Sequence, residues 1–153
     1  MDTPGTAEAI VAQTEQSRAV ARSFFAACNS HDLDRIMDFF HSDIVHHARL
    51  SDYPKEGIAF VYQMTLQAFP DLRWNVLDII AEKDQIAALV RYEGTHRGPY
   101  LHSTDTGKRV SFLSINIARV ADGRFIEHRG VLDELHLLTQ IGALPEPLLT
   151  QMS

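Results

Sequence analysis

The residues with the most chemistry to offer lie together near the C-terminal end. They are Glu127, His128, Arg129 and Asp133, inside the otherwise apolar run Phe125-Ile-Glu-His-Arg-Gly-Val-Leu-Asp133. Ionisable groups cost free energy to bury unless they are paired or used, so an apolar strand that keeps them marks a candidate site. A carboxylate and an imidazole in such a place perform general acid–base chemistry, taking a proton from carbon and returning one to oxygen. Asp133 also stands directly before a helical pattern, Glu134-Leu-His-Leu-Leu-Thr-Gln-Ile-Gly142, where an Asp is a standard N-cap. Successive strand residues alternate between faces, so Glu127 and His128 point apart while Arg129 and Asp133 can share a face. A bulge at Gly130 would reset that parity. Glu127 and Arg129 can equally form an exposed pair on the outer face of a sheet.

Further candidates lie elsewhere. His46 and His47 are adjacent on a short strand, so only one faces inward, and the spacing suits a metal poorly. His96, in Gly94-Thr-His, sits at a strand end. Either His47 or His96 can polarise a substrate carbonyl, and a hydrogen-bonded structural histidine is the competing reading. Asn116 and Ser114 share the parity of Phe112 in an apolar run, which makes them pocket donors or a polar ladder between strands. Trp74, Phe60, Met64, Phe112 and Tyr92 are core or cavity lining.

Several chemistries are disfavoured. A Schiff-base mechanism needs a desolvated lysine, and Lys55, Lys83 and Lys108 all fall in turns or at a helix start. No Gly-rich strand-to-helix turn, Gly-x-Ser-x-Gly elbow or His-Glu-x-x-His pattern is present, and Cys28 is alone. No metal is expected. What remains is acid–base work by Asp and His.

The elements that must position these groups follow from periodicity. A helix is predicted over 8–29, with Val20, Phe24 and Cys28 on one stripe, and a short one over 31–40 carrying Leu33, Ile36, Met37 and Phe40. Residues 43–50 read as a short strand. A third helix over 54–69 places Ile58, Val61, Met64, Thr65 and Ala68 on one face. Strands then follow over 72–81, 85–97 and 108–120. In the first, Trp74, Val76 and Ile80 lie opposite Leu77 and Ile79. Asp122-Gly123 is a two-residue hairpin signal leading into the final strand. Strands of roughly ten residues exceed the usual length and must twist and curl. Helices first and a meander afterwards give an α+β fold. Residues 1–7 and the chain from Ala143, with Pro145 and Pro147, read as extended termini.

Apolar residues make up 45% of the 153 and charged residues 22%, a composition that argues against disorder. The net charge of −6, without a basic run, makes nucleic acid or an anionic membrane an unfavourable partner. No apolar run approaches a membrane span, and the N-terminus lacks the pattern of a secretion signal. The cytoplasm is the expected compartment.

Read in order, Asn29-Ser-His-Asp-Leu-Asp, Ala68-Phe-Pro-Asp-Leu, Gly94-Thr-His-Arg-Gly, Thr106-Gly-Lys, Asp122-Gly-Arg-Phe-Ile-Glu-His and Gln140-Ile-Gly-Ala resemble the SnoaL-like polyketide cyclases. No single motif is specific; the ordered set over about 18–144 is. The resemblance implies one domain over 1–153 with the nuclear-transport-factor-like fold: a cone-shaped barrel whose curled, mixed or antiparallel sheet wraps around N-terminal helices. It implies a deep apolar pocket, no cofactor, and a small polyketide-like substrate closed into a ring by intramolecular aldol condensation. In the family an aspartate at the end of the last strand is acid and base, and the matching position is Asp133; His128, His96 and His47 are this chain's own further candidates for the proton work. The family usually has Trp after Glu-His, where this chain has Arg129, so a cation stands where an aromatic wall is expected. Arg129, Asn116, Phe60, Met64, Trp74, Phe112 and Tyr92 are the expected substrate contacts. A homo-oligomer, dimer or tetramer, is expected through a sheet face carrying Leu89, Leu113, Ile115 and Ile117. Because one fold hosts many reactions, another cyclase, an isomerase, a dehydratase or a non-catalytic binding module is the alternative.

Overall fold

The computed structural model describes residues 6–48 and 51–144. Helix α1 spans Ala7–Ser30, and the Thr6 side chain accepts a hydrogen bond from the Ala9 N–H at its start. It ends where His31 turns left-handed (φ 58) and its Nε2 meets the Leu72 carbonyl at 2.6 Å. Asp32 caps the short α2, Leu33–Met37, by accepting from the Arg35 N–H. Strand β1 (Phe40–His47), the two-residue β2 (Asp52–Tyr53) and helix α3 (Lys55–Ala68) follow. The long strands are β3 (Arg73–Glu82), β4 (Gln85–Thr95), β5 (Arg109–Ala121) and β6 (Arg124–Leu132), and α4 covers Glu134–Gln140.

The strands form a six-stranded sheet in the order β2-β1-β6-β5-β4-β3. All pairings are antiparallel except β1 with β6, which is parallel. The chain is therefore the curled α+β type expected. Asp122 and Gly123 both have positive φ (51 and 74), as a two-residue turn matched to strand twist requires. Helices α1, α3 and α4 pack on the sheet. Phe24 of α1 meets Phe40 and Phe125 edge-to-face at 5.5 and 5.1 Å, joining helix, β1 and β6 in one aromatic core. No described helix is long and apolar enough to cross a membrane.

Two irregularities decide which side chains face the core. Pairing of β5 with β6 jumps from Arg119↔Glu127 to Val120↔Phe125, so Ile126 is an extra residue. This bulge lets Phe125 and His128 both turn inward, although they are an odd number of residues apart. The reset expected at Gly130 thus occurs before His128. In β3 the register jumps between Val76 and Asp78. The single alternation expected there is corrected: Trp74 faces in, but beyond the bulge Ile79 and Ala81 pack on the core and Ile80 is exposed. Residues 49–50 of the expected first strand, residues 1–5 of the N-terminal tail and the stretch from Pro145 lie outside the described residues.

Candidate active site

A cavity of about 190 Å³ opens between α3, the inner face of the sheet and α4. Ile58, Tyr62 and Thr65 project into it from α3, Trp74 from β3 and Tyr92 from β4. Strand β5 adds Phe112, Ser114 and Asn116, consecutive inward positions of an alternating strand. Leu132, Leu137 and Tyr100 close the far side. Among the described residues the lining holds no Asp, Glu, Lys or Arg. Its polar equipment is two imidazoles, tyrosine hydroxyls, the Thr65 hydroxyl, the Trp74 indole and the Ser114–Asn116 pair.

The imidazoles are His46 and His128. Parallel pairing sets His46 directly beside His128, both on the inner face. The rings lie edge to edge with their planes 24° apart and their centroids 4.8 Å apart, and Nδ1 meets Nδ1 at 2.6 Å. Tyr53 of β2 stacks on the other side of His46 at 5.7 Å, and Phe40 meets His128 edge-on. His128 is only 8% exposed. Burial, helped by its neighbour His46, pushes its pKa down to about 3. Burial and the neighbouring His47 also lower His46, with Asp52 acting in the opposite sense. Both rings are therefore neutral at physiological pH.

Asn116 lines the same cavity from β5, the strand next to that of His128. Its Nδ2 donates to Ser114 Oγ at 3.1 Å. Opposite it in register is Gly130, where a Cβ would lie 3.1 Å from Asn116 Oδ1. The glycine thus makes room for the amide. Burial raises the Tyr92 and Tyr62 hydroxyls, so both stay protonated and can donate. Among the described residues no group of three or more His, Cys, Asp or Glu is placed to hold a metal ion.

The structure brings together some of the residues singled out in the sequence. His128, Asn116, Trp74, Phe112 and Tyr92 all line the cavity. Asp133 does not. It is exposed and caps α4, its Oδ1 accepting from the His136 N–H at 3.2 Å. His47 faces away from the cavity, bridging Asp52 (3.0 Å) and Glu127 (3.1 Å), because alternation gives the inward place to His46. His96 is wholly buried but outside the lining; its Nδ1 meets Thr106 Oγ1 at 3.0 Å, and among the described residues its Nε2 has no partner. Arg129 is on the outer face, bonded to Glu127 at 2.7 Å, and lines a separate open depression with Arg119. The cation at that position therefore does not enter the cavity. Phe60 and Met64 are 61% and 40% exposed on the outward side of α3.

The sequence reading passed over Tyr53, Tyr62 and Tyr100, and it weighed His46 without choosing it. For Tyr62 a signal was present. Ile58, Tyr62, Thr65 and Phe69 follow helical spacing as well as the stripe through Val61 and Met64. Phe60 and Met64 lie on a more apolar side of α3 that faces out, whereas Val61, though 47% exposed, still lines the cavity.

A model of the SnoaL-like polyketide cyclases matches residues 19–141. The crystal structure of AclR from Streptomyces galilaeus, described as a candidate hydroxylase, superposes with a TM-score of 0.84 at 31% identity, over 91% of this chain and 89% of that one. IdmH from Streptomyces antibioticus, described as a candidate polyketide cyclase, gives 0.74 at 28% identity, over 83% of this chain and 99% of its own. TsrD from Streptomyces laurentii gives 0.76 at 27%, over 85% and 97%. Among curated proteins no sequence matches.

Proposed function

The chain belongs to the SnoaL-like polyketide cyclase family, and from that premise we propose that it closes a ring in a small polyketide-like substrate by intramolecular aldol-type addition. The observation that carries this reading is the contact between half-buried His46 and buried His128, with Asn116 beside them, in an uncharged, aromatic-lined cavity. The imidazole pair takes a proton from a carbon alpha to a carbonyl. Asn116 and a tyrosine hydroxyl donate hydrogen bonds to the enolate oxygen that develops. The apolar walls fold the flexible chain so that the carbanion meets a distant carbonyl, which removes much of the entropic barrier. Asp133 remains outside this scheme as the cap of α4.

The test is turnover of a poly-β-ketone chain by the parent, His128→Gln and Asp133→Asn. His128→Gln should lose about 10²–10⁴-fold, the usual worth of general acid–base catalysis. Asp133→Asn should stay within a few-fold of the parent. The reverse pattern would transfer the proton work to Asp133. A second reading, hydroxylation of such a substrate, is favoured by the likeness to AclR at 31% identity. It would need dioxygen as a co-substrate, whereas aldol addition needs no oxidant. Product mass separates the two, because aldol addition leaves the mass unchanged and hydroxylation adds an oxygen atom.

The reading includes a homodimer formed through the outer sheet face, where Leu113, Ile115, Ile117 and Val131 are exposed.

A further inference from the structure

We propose that His46 and His128 form one tautomeric relay, which takes a proton from substrate carbon at one ring and returns a proton to substrate oxygen at the other. The inference deepens the cyclase reading and rests on it for the substrate.

It follows from the contact between the rings. An Nδ1–Nδ1 hydrogen bond of 2.6 Å holds a single proton between two nitrogens. A neutral imidazole carries one N–H and one lone pair. The ring that donates through Nδ1 must therefore have a bare Nε2. The ring that accepts at Nδ1 must carry its proton on Nε2. Among the described residues neither Nε2 has a protein hydrogen-bond partner, and both rings line the cavity. The pair thus always presents one base and one acid to whatever occupies the cavity.

Burial explains why a pair serves better than one ring. A lone histidine that accepted a proton here would become a buried cation without a carboxylate to pair with, which is costly. Among the described residues the cavity lining supplies none. Tyr53 and Phe40 flank the rings, Tyr62, Tyr92 and Asn116 share the cavity, and Asp52 is engaged by His47 at the outer edge of the sheet. A relay avoids the cation, because the proton gained at one end is matched by one released at the other.

The step balances. The alpha carbon gives its proton to the bare Nε2 of the first ring. The Nδ1 proton of that ring crosses to Nδ1 of the second. The second ring releases its Nε2 proton to the oxygen of the carbonyl under attack. The electron pair of the broken C–H bond forms the new C–C bond, and the carbonyl π pair takes the released proton as a hydroxyl. Both rings end neutral with tautomers exchanged. Water resets them by removing a proton from the first Nε2 and supplying one to the second.

Two measurements decide, neither requiring the natural substrate. Nitrogen NMR of protein carrying isotope-labelled histidine, assigned with His46→Gln and His128→Gln, should show two neutral rings of opposite tautomer at neutral pH, coupled through their Nδ1 atoms. Rings of the same tautomer, or either ring protonated, would overturn the relay. The second uses a nitrobenzisoxazole, whose ring opens to a nitrile and a phenolate when a base takes its carbon-bound proton. The parent should open it faster than the double variant. Each single Gln variant should lose about tenfold or more, and the double variant no more than either single, because coupled residues act as a unit. Glutamine can donate and accept but cannot pass a proton between those roles. His46→Phe, which preserves the stacking on Tyr53, replaces His46→Gln should that variant fail to fold. A His46 variant that keeps the parental rate, losses that multiply in the double variant, or a parent no faster than the double variant sinks the proposal. Opposite tautomers and an active probe reaction, with no turnover of poly-β-ketones, would leave the relay standing and remove the cyclase reading.

Discussion

Asp133 and His128 show how differently a sequence presents two ionisable residues five positions apart. As an exposed N-cap, Asp133 has a measurable structural role: Asp133→Ala should cost about 1 kcal/mol, while Asp133→Asn, an equally good cap, should cost little. Melting curves of the two variants read this directly. His128 acts on stability through pH. Its pKa falls from 6.5 to about 3 on folding, so below about pH 6.5 the unfolded chain binds a proton that the folded chain refuses. This contribution is unchanging above that pH and destabilises as pH falls, by about 1.4 kcal/mol per unit, down to the folded value. Between pH 7 and pH 5, His128→Gln should therefore lose about 2 kcal/mol less stability than the parent in chemical denaturation. An identical loss in both would show that His128 is not buried neutral. Alternation alone identified Asn116 and Ser114 as inward-facing. It reduced His46 and His47 to a choice of one, which only the pairing of β1 with β6 could make. The cap role of Asp133 was equally readable, since an Asp before a helical pattern needs no tertiary information. Its distance from the cavity was not, because that depends on where α4 docks.

Nearly every element was legible from periodicity and turn chemistry, because long strands and amphipathic helices repeat their signal many times. The bulges at Leu77 and Ile126 were not, since a single extra residue leaves no periodic trace in a strand with apolar residues on both sides. The two-residue β2 is too short to carry any pattern. Yet the bulge in β6 is what brings His128 to the cavity. Element contacts also constrain glycines. The N–H groups of Arg97 and Gly98 both bond to the Ala68 carbonyl at the end of α3, which holds the loop after β4 against that helix. A Cβ at Gly98 would collide with the Gln67 carbonyl, a backbone atom that cannot rotate away. Gly98→Ala should cost about 1–3 kcal/mol, as overpacking does. Denaturant midpoints test it, and a stability equal to the parent would show that this junction yields freely.

For the whole molecule, the unusual surface is the outer face of the sheet. Among the described residues the helices cover only the inner side, leaving Ile115 (51%), Ile117 (44%), Val131 (75%) and Leu113 (39%) accessible. They form one patch, because β5–β6 pairing puts Ile115 beside Val131 and β4–β5 pairing puts Leu89 beside Ile115. Contiguous apolar patches of this kind are uncommon on monomers. A charged rim borders the patch, where Arg119 bonds to Asp84 and Arg129 to Glu127, each at 2.7 Å. An apolar centre with a polar, paired rim is the anatomy of a protein interface. The same patch on two copies makes a two-fold contact in which each residue is used twice. One charge placed at its centre is thereby doubled and set against its own kind. Ile115→Glu should accordingly shift the protein from dimer to monomer at micromolar concentration by light scattering. The cavity should be unaffected, because the side chain at 115 points away from Ser114 and Asn116. A parent that is already monomeric at that concentration, or an Ile115→Glu protein that stays dimeric, would remove the outer face from the assembly.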